Sequence, residues 1–240
     1  MNRIWIAPVL LTLTAACSKG PAAPEEKPKA FGAALVSVSG EKQAAGVGAP
    51  LDQPLVVQVN DAKGAPVSGA LVRFTGAVGT IFQPDHGLTG PDGQFTTNVT
   101  LGGLAGHYEI AAATHNPAGQ RVEARIDEVA LGYKAMLGEQ INQIHCVRCH
   151  DSESTPERVS NHDNLEAMPH AFTEGAILNP MSDASLVAII AHGGVALNKS
   201  AAMPPYGDTL TKDEIGALFA YLRAVSDPPY QPQGVFYAGN

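Results

Sequence analysis

The sequence predicts a two-domain chain in which an all-β sandwich precedes an all-α domain. Short β-rich runs of alternating polarity, separated by turn signals, fill residues 33–130. Beyond them, helical patterns occupy Met136 to Ile144, Asp183 to His192 and Leu210 to Val225. The size suits both, since 240 residues with 45% hydrophobic content can bury two modest cores.

The chain opens with Arg3 and the apolar run Ile4 to Leu13, followed by Thr14-Ala15-Ala16-Cys17. These are the charged, apolar and small-residue regions of a secretory leader. The run is shorter than the roughly 20 apolar residues of a spanning helix, so residues 1–16 read as a leader removed on export. Small residues directly before Cys17 resemble a bacterial lipobox, with Thr14 where leucine is usual and Leu13 one place early. The resemblance implies that Cys17 is acylated and anchors the chain to a membrane, and Ser18 after it permits outer-membrane sorting. The other reading is an ordinary leader cut near Ala16, which leaves an unpaired thiol that export disfavours. Residues 17–32, rich in proline and charge, form an extended tether. The expected location is the cell envelope, facing the periplasm.

The strand runs are Ala34 to Val38, Leu55 to Val59, Ala70 to Phe74, Phe95 to Leu101, His107 to Ala112 and Arg121 to Ile126. Asp61-Ala62-Lys63-Gly64 and Pro91-Asp92-Gly93 supply turns between them. About seven strands in about 100 residues indicate a sandwich. The order of residues in Val57-Gln58-Val59-Asn60-Asp61, in Gly64 to Phe74, in Thr89-Gly90-Pro91-Asp92-Gly93 and in Gly106 to Ala112 resembles a bacterial immunoglobulin-like domain of the invasin group. Such a resemblance implies a fold more than an activity, because these sandwiches serve as spacers, adhesins or docking surfaces. His86, His107 and His115 lack metal-ligand spacing and read as ordinary strand or turn residues. Tyr108 reads as a packed ring with its hydroxyl bonded to backbone.

The chemistry is expected in the second half. Cys146-Val147-Arg148-Cys149-His150 is the C-x-x-C-H signature of covalent haem attachment. Two thiols three residues apart each form a thioether to a vinyl group, and the adjacent histidine is carried under the iron as proximal ligand. One haem c, covalently attached, is therefore the expected cofactor. A zinc site from His145, Cys146, Cys149 and His150 would need four near-adjacent residues to surround one tetrahedral ion. A thioredoxin-like redox pair would need a βαβ setting that the flanks do not show, and a structural disulfide is strained at this spacing.

Met203-Pro204-Pro205-Tyr206-Gly207, followed by the helix pattern Leu210 to Val225, resembles the distal loop of class I c-type cytochromes. The resemblance spans residues 134–226 and implies Met203 as the second axial ligand of the iron. Thr211-Lys212-Asp213-Glu214 reads independently as a capping box, and Ile215, Leu218, Phe219, Leu222 and Val225 share one face. Upstream, Met136 to Ile144 forms a helix in which Gly138 matches the family's glycine at the crossing of first and last helices. Tyr221 matches the aromatic on the last helix, whereas Asn142 stands where an aromatic is usual on the first. Asp183 to His192 reads as the helix between. Residues 227–240 are a C-terminal tail.

Met168 and Met181 are rival sulfur ligands, and His192 would make a bis-histidine haem. Pro204 and Pro205 stiffen the loop that must hold sulfur at the iron, which favours Met203. Met136 reads as core, and His162 and His170 as solvated residues of a polar loop between Asp151 and Asn179. An open five-coordinate iron is the remaining alternative.

A net charge of -8 with only 15 Lys and Arg excludes the concentrated basic surface that nucleic acid binding needs. Residues 134–240 hold 12 Asp and Glu against 6 Lys and Arg, so redox partners with basic docking surfaces would be steered to this half. Filled axial positions favour one-electron exchange over substrate binding. The expected function is an electron carrier between envelope redox proteins, not an enzyme. The alternatives are a haem-bearing subunit of an envelope oxidoreductase or peroxidase, and a haem sensor or adhesin with an open iron.

Overall fold

The computed structural model describes residues 27–151 and 159–232. Cys17, the leader, most of the tether and the end of the tail lie outside them. Among the described residues nine strands come first: β1 (Ala34–Ser39), β2 (Ala44–Gly46), β3 (Leu55–Asn60), β4 (Leu71–Thr75), β5 (Ile81–Gln83), β6 (His86–Leu88), β7 (Gln94–Thr100), β8 (Gly106–His115) and β9 (Arg121–Leu131). They make a four-stranded sheet in the order β1-β3-β7-β5 and a five-stranded sheet in the order β2-β9-β8-β4-β6. Alternation produces the packing, since Leu55, Val57 and Val59 on β3 face Val72, Phe74, Ile110 and Ala112 in one core. Each such aliphatic side chain contributes about 1.5–3 kcal/mol by leaving water.

All six expected runs are strands. The three additional ones, β2, β5 and β6, have three residues each, too few to display a period, and are defined by their partners instead. β2 lies parallel to the end of β9, pairing Ala44 with Val129 and Gly46 with Leu131. Tyr108 is packed, and its hydroxyl donates to the Leu104 carbonyl at 2.8 Å.

Glu128 is fully buried in β9, where the Gln43 N–H donates to its carboxylate at 2.6 Å. Burial pushes this carboxyl up to about 8; the Gln43 N–H opposes the shift, while the charges of Asp127 and Glu41 add to it.

Gly132 alone separates β9 from helix α1 (Tyr133–His145), which is followed by α2 (Val147–His150), α3 (Gly175–Leu178), α4 (Asp183–His192) and α5 (Lys212–Ala224). The α4 bounds are those read from the sequence, and α5 begins with the expected box: Thr211 accepts from the Glu214 N–H while Glu214 accepts from the Thr211 N–H. α1 and α5 cross at Gly138, where a β-carbon would run into the Ala217 carbonyl and meet the Tyr221 Cβ at 2.7 Å. Asn142 is buried at this crossing and faces Tyr221, whose hydroxyl burial pushes up to about 12. The helical core is built from Ile141, Ile190, Ile215, Leu218 and Leu222. No helix among the described residues is long and apolar enough to cross a membrane.

The two domains share an apolar contact that the sequence reading left open. Glu128, Val129, Ala130 and Leu131 are all buried, which in a strand means that both faces are covered. Ala130 faces the sandwich core, whereas Val129 and Leu131 join Ala135 and Val225, with Ala44, Met136 and Phe172 packed against them.

Candidate haem site

The Cys146 N–H closes the last turn of α1 on the Asn142 carbonyl at 2.9 Å, and α2 begins at once. The N–H groups of Cys149 and His150 both donate to the Cys146 carbonyl at 3.0 Å. The motif is thus wound as one helical turn, in which positions i, i+3 and i+4 share a face. Cys146, Cys149 and His150 accordingly line one cavity.

His150 is fixed through its other ring nitrogen. Its Nδ1 lies 2.8 Å from the His170 carbonyl, which can only accept, so Nδ1 carries the proton and Nε2 keeps its lone pair. Burial holds the imidazole below its usual pKa and so keeps it neutral, the form that binds metal. The Phe172 ring packs against it with centroids 4.7 Å apart. The accepting turn is itself tied, because Glu174 receives the Ala171 N–H and faces the His170 ring, both at 2.9 Å. His170 serves the site through its main chain, and the His162 ring is bonded to Asp163 and to the Pro169 carbonyl. Both rings are hydrogen-bonded within residues 160–174, and the His170 ring stays half exposed.

Met203 reaches the cavity from the loop after α4. Gly193 has φ 78, and the Gly194 N–H donates to the Met203 carbonyl at 3.0 Å. A β-carbon on Gly194 would collide with the Ser200 carbonyl, so glycine there is what lets the loop lie close. The Tyr206 and Gly207 N–H groups donate to the carbonyls of Ile190 and Ala191 at 3.0 and 2.9 Å. The Tyr206 hydroxyl donates to the His145 carbonyl at 2.8 Å. The loop is stapled to both α4 and α1.

The cavity has a volume of about 440 Å³ and brings Cys146, Cys149, His150 and Met203 together. Met168 and Met181 also line it, whereas His192 is exposed at the end of α4 and lies off its wall. Met136 packs in the interdomain cluster, as core. Phe172, Leu186, Ile189 and Leu222 make most of the remaining wall apolar. Among the described residues no three His, Cys, Asp or Glu side chains converge as an ion site. Two thiols, an imidazole and a thioether distributed around an apolar cavity suit a flat, largely apolar group held at its edge and faces, and the residues fit a haem on that ground. Burial, with Cys149 beside it, pushes the Cys146 thiol up to about 12, which is opposite to the depressed thiol of a dithiol redox enzyme.

Sequence reasoning missed Phe172, the glycine pair and the bond from Tyr206 to the His145 carbonyl. Only the Gly193-Gly194 dipeptide carried a usable signal, as a turn marker next to a helix end.

Residues 134–222 match the family model described as cytochrome c oxidase, cbb3-type, subunit III. The helical half is therefore similar to a c-type cytochrome family. No curated protein matches the chain. Similar solved structures include the D00-D0 domain of intimin, at 12% identity and a TM-score of 0.33, with 45% of this chain and 51% of that one covered. Invasin, titled a bacterial integrin-binding protein, is 20% identical with a TM-score of 0.31, covering 40% and 19%. The adhesin InvE of Yersinia pseudotuberculosis is 15% identical with a TM-score of 0.29, covering 40% and 31%. This chain spans about half or less of the length of each.

Proposed function

We propose that the protein is a lipid-anchored monohaem c-type cytochrome that passes single electrons between redox proteins of the cell envelope. One observation carries the reading: a single cavity of about 440 Å³ gathers Cys146, Cys149, His150 and Met203 from two distant stretches of sequence. Cys146 and Cys149 would hold the porphyrin covalently, and His150 and Met203 would be the iron ligands. Bound there, the group supplies a one-electron couple. The chain's own residues do the rest. The His170 carbonyl keeps the His150 proton on Nδ1 and the ring aimed. The staples at Gly194 and Tyr206 hold Met203 in place, and Leu186, Ile189 and Phe172 keep water away. Cys17 would carry the lipid, and an immunoglobulin-like sandwich would stand between the anchor and the cytochrome domain.

A reduced-minus-oxidised visible spectrum with near-infrared absorption, on protein matured with covalent haem, tests the reading. The expected result is a c-type α-band and a weak sulfur-to-iron band that disappears in Met203→Ala. A c-type spectrum without that band and readily altered by carbon monoxide would overturn the electron-carrier assignment in favour of an open iron. For the anchor, Cys17→Ser should release the protein from the membrane fraction.

A second reading is favoured by the family match, since that family is described as an oxidase subunit. In it the chain is the electron-entry subunit of an oxidoreductase complex, and co-purification of the full-length protein with an enzyme under mild detergent would distinguish it from a free carrier.

A further inference from the structure

Phe172 stands between two apolar clusters. On one side it packs against the helical core around Ile190 and Leu218, and on the other against the cluster that Val129 and Leu131 of the sandwich build with Ala135 and Val225. Its ring lies 4.7 Å from the His150 imidazole, with the planes 37° apart. The two residues on either side of it are anchored as well. His170 supplies the carbonyl that receives His150 Nδ1–H at 2.8 Å. The Thr173 carbonyl accepts from the Asp227 N–H, and the Gly175 N–H donates to the Asp227 carbonyl, both at 2.9 Å. Asp227 in turn faces Lys42 of the sandwich at 3.4 Å. Ring and backbone that orient His150 therefore belong to one short segment, and the cluster of Val129, Leu131, Ala135 and Val225 packs against its ring.

We propose that Phe172 is a positioning residue for His150 and that the β-sandwich, through the cluster of Val129 and Leu131 with Ala135 and Val225, seats it from behind the cavity wall. This rests on the reading of His150 as a haem ligand. The orientation of a ligating imidazole and the strength of the hydrogen bond at its other nitrogen tune the metal it holds, so a segment free to shift would change both. The Lys42–Asp227 pair is exposed on both sides and contributes little. The apolar cluster of Val129, Leu131, Ala135 and Val225, against which Phe172 packs, carries the coupling.

The test uses full-length haem-loaded protein carrying Val129→Asp, Val129→Thr, Phe172→Leu or a Val129/Phe172 pair. Val129 is suitable because it belongs to the interdomain cluster, while its neighbour Ala130 belongs to the sandwich core. Potentiometric titration and the paramagnetic NMR shifts of the His150 ring are the readouts. The expected result is a change of about threefold or more in the reduced-to-oxidised ratio at fixed ambient potential for each single variant. The double variant should change no more than the larger single, as members of one coupled unit do. Val129 variants with an unaltered ratio and unaltered ring shifts would overturn the proposal, as would simple addition of the two effects. Should Val129→Asp fail to fold, Val129→Thr is read by the same criteria. Absence of a c-type α-band from the unaltered protein would instead overturn the haem reading itself.

Discussion

The hydroxyl of Tyr206 donates to the main-chain carbonyl of His145 at 2.8 Å, across 61 positions of sequence. His145 ends α1 directly before the first thiol of the haem motif, and Tyr206 sits three residues beyond Met203. One bond thus joins the two stretches that meet at the cavity.

Tyr206→Phe removes that bond while keeping the ring. The expected loss is about 1 kcal/mol in denaturant titration. Carbon monoxide should also reach the reduced protein faster, because the Met203 loop loses a staple. Unchanged stability and unchanged carbon monoxide kinetics would mean that the backbone bonds to α4 suffice.

Gly138→Ala should destabilise the helical half even though alanine is the better helix former by about 1 kcal/mol. The added carbon meets the Ala217 carbonyl and the backbone of α5 cannot yield cheaply, so a net cost of about 1–3 kcal/mol is expected as a lowered Tm. Gly216→Ala is the control, since the nearest atom there is the Lys134 Nζ at 3.2 Å, the free end of a flexible side chain. It should be neutral or slightly stabilising.

Glu128 makes stability depend on pH. Its folded pKa, about 8, lies above the 4.5 of an ordinary glutamate, so the folded state holds a proton that the unfolded state has released. The contribution is complete below about 4.5 and is lost as pH rises toward about 8, on the order of 5 kcal/mol across that window. Urea titrations from pH 5 to 9 should show this decline, and Glu128→Gln should flatten it.

Arg223 on α5 donates to the carbonyls of Leu178 and Met181 at 3.0 and 2.7 Å, pairs with Asp183 at 2.7 Å and lies 3.8 Å from the Tyr230 ring centre. Leu178 and Met181 line the cavity. Arg223→Met keeps much of the packing but leaves the two carbonyls without this donor, and should cost about 2–4 kcal/mol. Faster proteolysis between residues 178 and 183 is the accompanying expectation.

What the sequence disclosed follows from how its signals are stored. Cys146, Cys149 and His150 are nearly consecutive, so their shared face was readable from spacing alone. Strands with five or more residues announced themselves by alternation, and Thr211 with Glu214 announced the start of α5. The acceptor for His150 is a main-chain carbonyl, which every residue possesses, so no residue type could have pointed to His170. Phe172 lay in a polar stretch that lacks a period, and its importance arises from His150 and the Val129 and Leu131 cluster, all more than 20 positions earlier in the chain. Met203 differs from Met168 and Met181 by the glycine pair that fastens its loop, a relation between loop and helix end that becomes visible only in three dimensions.

Gly132 is the only residue between the last strand and the first helix. With no slack there and with Val129 and Leu131 already committed to the helical side, neither half can come apart without exposing apolar surface of the other. The chain reads as two modules but should melt as one cooperative unit, with circular dichroism and haem absorbance reporting a single coincident transition.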